Sequence, residues 1–522
     1  MRFFNTIDSK NMLSYFWVFP LAVWVLLFFA LTNVAMIFSG DSVEYLEMAN
    51  QLNKGQFPKS QMWMPLYPLM IWIFSKLFFV DLMLGAKLYH LFISSFLVLA
   101  YNKFFVQKQT NNTIDRIILN APIFAFLIFL EQAITLMAEF QFLTITLAFF
   151  YCIGNILKKQ KSNDVYIGAF LVILSILTKY NGFVNFAVLV LVLLYVFPIK
   201  RMLALLMIST FSIVIVYGSW LLYKPGGDFL IGAVEVLEVD YWQTYIEITK
   251  DYCLSASKYF LPFRLNEIVK SIVPEFIMSL LFTLLYLTAS IYILFSFLKH
   301  RMTINKFLIA FIILYSALFI LRSLPLGKNE TNTRTLFYVL FIGTYLLSSC
   351  AIKTKSLTKK FAILILPLLS FMKVVNTLPS MYINGIGPLA NKEYNINSIT
   401  IKTMLAIKDS LDLQAHQIYS NEHKVLSLFC DYNKVAPLPK SREFAGNYYN
   451  DNQEAFDYEI GKLMETMGKS SKWLLVYLEL SKDHPRYDKK LKFFMTDSFL
   501  FPTSKFSIKH IGKTIFIWPK RN

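Results

Sequence analysis

Long apolar runs, set apart by short clusters of lysine and arginine, constrain this chain more than any other feature of its sequence. Water cannot accommodate so many of them, whereas a bilayer core about 30 Å thick accepts helices of roughly 20 apolar residues. Of 522 residues 56% are hydrophobic and only 16% are charged, against about 25% charged in soluble domains. The chain therefore reads as an α-helical polytopic membrane protein with the bilayer as its first partner. Its net charge of +18 would suit a nucleic acid only if the basic residues shared one soluble face. They sit between the apolar runs instead, the positive-inside pattern, so no nucleic-acid partner is expected.

The clusters fall at Arg2 and Lys10; Lys103, Lys108 and Arg116; Lys158, Lys159 and Lys161; Lys200 and Arg201; Lys299, Arg301 and Lys306; and Lys353, Lys355, Lys359 and Lys360. Each is expected in the cytoplasm, so an even number of crossings must separate each from the next. Runs 165–178 and 182–197 then form a hairpin with Lys179, Tyr180 and Asn181 at its outer tip. Runs 117–130 and 135–156 pair around Glu131, 203–223 and 275–298 around a long polar stretch, and 307–321 and 334–351 around residues 322–333. The run 17–38 lacks a small-residue cleavage site and reads as an uncleaved first span. Of the three runs between Lys10 and Lys103, the shortest, 66–79, follows Pro65 and Pro68 and reads as an interfacial or re-entrant helix.

The count is about eleven crossings, the last at 361–375. Residues 1–375 thus form a transmembrane module with a first outer loop at 39–81, and 376–522 a soluble extracytoplasmic tail. The tail alternates β-rich runs (417–419, 473–480, 506–509, 514–518) with helix-like ones (422–429, 453–466, 486–494), so an α/β domain is expected there. Cys152, Cys253, Cys350 and Cys430 show no metal-binding spacing; Cys253 and Cys430 could pair if both face an oxidising compartment.

The first outer loop concentrates the chemistry. Ser39-Gly40-Asp41-Ser42-Val43-Glu44-Tyr45 opens it, and Gly55-Gln56-Phe57-Pro58 and Met64-Pro65-Leu66-Tyr67-Pro68 follow. Tyr45, Ala49 and Leu52 recur at helical spacing, predicting a surface helix over 42–53. Asp41 stands where a carboxylate caps a helix, and capping alone would explain it.

This order of motifs, Asp-x-x-x-Tyr-x-x-x-Ala and then Gly-x-Phe-Pro and Pro-Leu-Tyr-Pro just after the first span, resembles the GT-C polytopic glycosyltransferases. The protein O-mannosyltransferase and aminoarabinose transferase branches (glycosyltransferase family 39) are the nearest in pattern. Met137-Ala138-Glu139-Phe140, Thr178-Lys179-Tyr180-Asn181-Gly182, Arg334-Thr335-Leu336-Phe337 and, in the tail, Ile418-Tyr419-Ser420-Asn421-Glu422 with Ala436-Pro437-Leu438-Pro439 are similar to the family's layout. The resemblance covers nearly the whole chain. Two positions depart from it: Ser42 stands where the family often has a second acid, and Met64 where it often has His or Pro.

The resemblance implies sugar transfer, with inversion, from a polyprenyl-phosphate-linked donor to an extracytoplasmic lipid, protein or envelope glycan. Asp41 would be the catalytic base, with Glu44 and Glu139 as helper acids. Lys179, Arg334, Arg322 and Lys328 would bind the donor phosphate, and Tyr45, Tyr67 and Tyr180 would line the sugar or acceptor pocket. Snorkelling would equally account for any one of the cations, and Glu139 could instead pair with Lys179 or sit at the water boundary. No metal or cofactor is expected on the protein, although a divalent ion could ride on the lipid phosphate. No Gly-x-x-x-x-Gly-Lys loop is present to bind nucleotides. A bacterial inner membrane is expected, with the N-terminus cytoplasmic and the tail periplasmic. The competing reading is a transporter or lipid flippase, which would place charges near the bilayer midplane; a third is a non-catalytic scaffold.

Overall fold

The computed structural model describes residues 18–32, 40–58, 64–110, 112–125, 136–223, 241–260, 273–324, 336–354, 367–375, 418–420, 435–438, 442–445, 448–451, 453–469, 473–478, 501–502, 504–511 and 514–520, with 129, 130, 132, 365, 406, 491, 494 and 495 besides. Two compact units emerge, residues 1–36 with 44–383, and residues 37–43 with 384–522.

The first unit is helical: α1 (Val18–Thr32), α2 (Gly40–Asn53, in this unit from Glu44 onward), α3 (Leu66–Leu77), α4 (Leu82–Tyr101), α5 (Thr113–Leu119), α6 (Ala121–Phe124), α7 (Glu139–Lys159), α8 (Ser162–Thr178), α9 (Phe183–Val196), α10 (Ile199–Tyr223), α11 (Tyr241–Phe260), α12 (Glu275–Leu298), α13 (Ile304–Ser323) and α14 (Phe337–Lys353). Among the described residues, five helices are long and apolar enough to cross a membrane: Leu82–Val106, Glu139–Lys159, Ile199–Ser219, Glu275–Leu298 and Ile304–Leu321. Five shorter apolar helices accompany them, Phe19–Phe29, Leu66–Leu77, Ser162–Thr178, Tyr180–Val196 and Phe337–Lys353. The chain is a multi-pass integral membrane protein. Much of α12 is lined by exposed leucine, isoleucine and phenylalanine, a surface that only lipid or another apolar body can cover. Helix α7 lies at the centre, with Phe140, Phe142, Phe149 and Phe150 fully buried.

Local signals set the helix ends. The Asp81 carboxylate caps α4 by accepting the Leu84 N–H at 2.9 Å, and Asn112 caps α5 through the Ile114 N–H at 3.0 Å. Glu139 falls in the first turn of α7 and Lys158 and Lys159 in its last, the arrangement the helix dipole favours. The expected run 117–130 breaks after α5: residues 113–124 form two short helices around Asn120, whose side-chain amide donates to Asn102 Oδ1 at 2.8 Å. Helix α3, 12 residues long and so about 18 Å, folds back on α4. Ser75 lies so close that a Cβ on Gly85 would meet its backbone N at 2.8 Å.

The polar stretch before α12 carries an unexpected helix, α11, whose Tyr245 and Thr249 hydroxyls pair with Thr283 and Ser279 at 2.8 Å each. Its Tyr252 hydroxyl meets Ser316 of α13 at 2.7 Å. Cys253, on the same helix, is a free thiol directed at the Met278 carbonyl at 3.7 Å; Cys430 lies outside the described residues. Of the expected last span, residues 367–375 are helical.

Contacts gather the described basic clusters at one end of the bundle. Gln109 reaches Tyr345 and Ser349, Lys108 lies 4.3 Å from the Tyr151 ring, Arg201 donates to Ser162 at 2.7 Å, and the Tyr195 hydroxyl takes the Met302 N–H at 3.1 Å. The α8–α9 hairpin points its tip, 179–182, to the opposite end.

The second unit is a mixed α/β fold. Strands β1 (Ile418–Ser420), β2 (Val435–Pro437), β5 (Leu474–Leu478), β6 (Phe506–Ile511) and β7 (Thr514–Pro519) form one sheet in the order β2-β1-β5-β7-β6. Strand β1 runs parallel to β2 and β5, while β7 is antiparallel to β5 and β6. Strands β3 (Arg442–Ala445) and β4 (Tyr448–Asp451) form a separate hairpin. Helix α15 (Gln453–Gly468) presents Ile460, Leu463, Met464 and Met467, spaced by three and four residues, to a core of Trp473, Leu475, Tyr477, Phe501, Ile515 and Ile517. The β-rich runs read in the tail all become strands; 422–429 and most of 486–494 lie outside the described residues.

Candidate functional site

At the end of the bundle away from the basic loops, a fully buried carboxylate faces an ammonium. Glu139 opens α7, and Lys179 ends α8 with an extended backbone (φ −152°, ψ 139°) that turns its side chain back across the helix ends. Lys179 Nζ donates to Glu139 Oε1 at 2.8 Å, and the two side chains are 17% and 1% exposed. The carboxylate is sealed off, then, while the lysine keeps a small exposed fraction. Nζ also donates to the Tyr338 hydroxyl in the first turn of α14, at 3.2 Å. Tyr338 packs edge-on against Tyr315 of α13, with ring centroids 5.7 Å apart, and the Tyr315 hydroxyl accepts from the Asn181 amide at 2.9 Å.

The hairpin tip is held from below. Gln141, two residues into α7 from Glu139, donates to Thr178 Oγ1 at 3.0 Å and accepts from the Tyr89 hydroxyl of α4 at 2.8 Å. Gly182 follows in a short turn over Tyr180–Gly182, where a Cβ would meet Ile176 N at 2.4 Å. Only glycine lets the chain pass this close to the end of α8. One residue along α4 from Tyr89, His90 is completely buried and bonds through Nε2 to the Tyr67 hydroxyl and the Met137 N–H.

The residues singled out from sequence are distributed as follows. Tyr67 is buried in the first turn of α3 and meets the Tyr45 ring of α2 edge-on at 4.8 Å. Tyr180 is half-buried and packs on a small cluster of Met48, Met64 and Tyr217. Glu44 is half-buried on α2. Asp41 falls in the first turn of α2, and its side chain lies outside the described residues, as does that of Arg322; Lys328 and Arg334 are outside them altogether. The structure thus brings together Glu139 and Lys179, and Tyr45 with Tyr67.

Sequence reading missed Tyr89, His90, Gln141, Tyr315 and Tyr338. For His90 and Gln141 a signal existed, a polar side chain inside an apolar run. The tyrosines gave none, because aromatic residues make up 17% of the chain. Among the described residues, no group of three His, Cys, Asp or Glu could hold a metal ion.

No protein-family model matches the chain, and no curated protein matches it. Solved structures similar to it include two of one protein. ArnT from Cupriavidus metallidurans in the apo state has a TM-score of 0.45 and 11% identity, with 98% of each chain covered. The same protein bound to undecaprenyl phosphate has a TM-score of 0.44 and 11% identity, with 97% of this chain and 98% of that one covered.

Proposed function

We propose that this chain is an integral membrane glycosyltransferase that moves a sugar from a polyprenyl-phosphate-linked donor to an extracytoplasmic acceptor with inversion. The observation that carries this reading is the placement of the Glu139–Lys179 pair, ringed by tyrosine, amide and imidazole groups, at the bundle end away from the basic loops. Charge at that end runs against the positive-inside bias, and a buried carboxylate is costly enough to need a reason. A transporter concentrates charge near the bilayer midplane. Here the charged residues on the described spanning helices, from Lys87 to Lys353, fall near helix ends, within about two turns.

In this mechanism the acceptor hydroxyl or amine attacks the anomeric carbon from the face opposite the phosphate. Asp41, at the start of α2, takes the proton, and the anomeric C–O bond breaks to release the polyprenyl phosphate as an anion. Glu44 and Glu139 are the helper acids of this scheme. Lys179 supplies a directed N–H at headgroup depth rather than net charge, because Glu139 already balances it. The growing negative charge therefore falls to Arg334, Arg322 and Lys328, stabilised as in any site prearranged for developing charge. Tyr180, half-buried, borders the sugar or acceptor, and the buried Tyr45 and Tyr67 back the pocket from within. A divalent ion bound to the lipid phosphate fits the same scheme.

The proposed setting is a bacterial inner membrane, with the basic loops cytoplasmic and residues 376–522 on the far side. The direct test incubates membranes holding the full chain with labelled polyprenyl-phosphate sugars and follows release of the free lipid phosphate. Asp41→Asn is expected to lower the rate by at least roughly 10²-fold, the usual scale for a lost general base; full activity in that variant removes Asp41 from the mechanism. Intact-mass analysis of envelope glycolipids after gene deletion then identifies the sugar, and an unchanged glycolipid profile counts against transfer.

A further inference from the structure

His90 is the one completely buried imidazole among the described residues, and nothing in the proposed chemistry uses it. It lies within the apolar length of α4, where a polar side chain needs partners and a purpose. Two of its partners come from other segments of the chain. The Met137 N–H donates to Nε2 at 3.4 Å, and the Tyr67 hydroxyl meets the same nitrogen. A nitrogen that accepts a backbone N–H carries no proton of its own; Nε2 is therefore the acceptor, and Tyr67 is the donor to it.

These contacts join two elements of different origin. Met137 lies two residues ahead of Glu139, at the approach to α7. Tyr67 belongs to the first turn of α3, and its ring supports Tyr45 edge-on at 4.8 Å and Tyr89 at 5.8 Å. Tyr45 stands one helical turn after Asp41 on α2. Nearby, Tyr89 is tied through Gln141 to Thr178, the neighbour of Lys179. Two consecutive residues of α4 thus fix the start of α7, the end of α8 and, through Tyr67 and Tyr45, the part of α2 from Glu44 onward. Ser94, a turn further on, accepts from Trp24 of α1 at 3.1 Å and donates to the His90 carbonyl at 2.6 Å, which pins α4 itself.

We infer that His90 is a positioning residue, a buried acceptor that locks the first-loop helices α2 and α3 to the α7 end carrying Glu139 and so sets the geometry of sugar transfer. Its role in transfer rests on the glycosyltransferase reading; its role in locking α2 does not.

The experiment compares His90→Phe, which keeps a ring but loses the acceptor, with His90→Gln, whose side-chain oxygen reaches nearly the same place. Tyr101→Phe is the control, since Tyr101 is an equally buried tyrosine whose hydroxyl donates to the Leu119 carbonyl near the basic loops. Full-length proteins are compared by amide hydrogen exchange of peptides covering 40–53 and by donor turnover in membranes. His90→Phe is expected to speed exchange in 40–53 by about tenfold, the scale of one lost net hydrogen bond. It should lower kcat by roughly 10²-fold, the scale of a small misplacement far from the chemistry, with KM for the lipid donor held within about twofold. His90→Gln should recover most of both, and Tyr101→Phe should change neither.

Unchanged exchange in His90→Phe, or equal loosening in Tyr101→Phe, overturns the lock. If exchange responds as expected while the unaltered chain turns over no sugar donor, the lock stands and the glycosyltransferase reading falls. If exchange responds and transfer by the unaltered chain is robust but insensitive to His90→Phe, the positioning role is overturned.

Discussion

The two ends of the helical unit hold positive charge in opposite ways. Near α5 the basic side chains lie over aromatic rings or cap neighbouring turns: Lys108 sits 4.3 Å from Tyr151, Arg201 4.6 Å from Phe197 and Lys299 4.2 Å from Phe295. None of these three appears in an ion pair among the described residues, and each carries its charge on a long apolar stem. At the other end Lys179 is built into the packing, with Glu139 buried beneath it and Tyr338 beside it. The first kind of charge orients a chain in a membrane and tolerates exchange of one cation for another. The second kind is fixed in position, as a site requires.

The largest expected contrast is in sidedness. With the natural cysteines replaced by serine, a cysteine at Phe79, 95% exposed beside the start of α4, should react with an impermeant thiol reagent on intact cells. One at Ile114, 64% exposed among the basic loops, should react only after permeabilisation. The reverse pattern inverts the threading and ends the outward assignment of Glu139 and Lys179.

Next in size is the pair itself. Lys179→Met should cost about 3–5 kcal/mol of unfolding free energy in detergent, because it leaves a carboxylate buried without its cation. Adding Glu139→Gln should restore much of that loss, since the two residues act as one unit. Arg201→Ala at the opposite end should stay within about 0.5 kcal/mol. A loss equally small for Lys179→Met would put both ends in the same class.

Backbone closeness gives a smaller contrast. Gly182→Ala must push a methyl group to within 2.4 Å of Ile176 N and should cost about 1–3 kcal/mol, with the Lys179 turn displaced. Gly154→Ala in α7 meets nothing within 4 Å and should stabilise by about 0.5–1 kcal/mol. Chemical unfolding of the two variants side by side reads the difference directly.

The smallest effect separates stability from function most cleanly. Tyr89→Phe and Tyr101→Phe each remove one buried hydroxyl hydrogen bond, and each should cost about 1–2 kcal/mol. Only Tyr89→Phe, whose partner Gln141 supports Thr178 beside Lys179, should also slow donor turnover. Equal effects on turnover would mean that the Tyr89 chain supports the fold alone.

How much was legible follows from the range of each signal. The apolar runs and the short β-rich stretches of the tail are local, and the helices and strands appear close to where the sequence places them. The break at Asn120 was less visible, because the apolar run continues through it while the side chain bonds to Asn102, 18 positions earlier. Helix α11 was overlooked although Tyr245, Thr249 and Tyr252 recur at helical spacing, since its polar face reads as loop until α12 and α13 supply Ser279, Thr283 and Ser316. In the site, Lys179 and Glu139 stand out in the sequence as charges beside apolar runs, which makes them candidates for pairing. The partners of His90 stood out in no way, being 23 and 47 positions distant.

The sequence by itself determined that this protein lives in a bilayer and that a small α/β unit follows the apolar helices. Those properties depend on transfer free energies and charge counts that add up along the chain. Tertiary structure alone decided that Lys179 is balanced by Glu139, that a histidine in mid-helix accepts from Met137 and Tyr67, and that glycine is required at 182. Each depends on distances between segments far apart in the chain, set by how the helices pack.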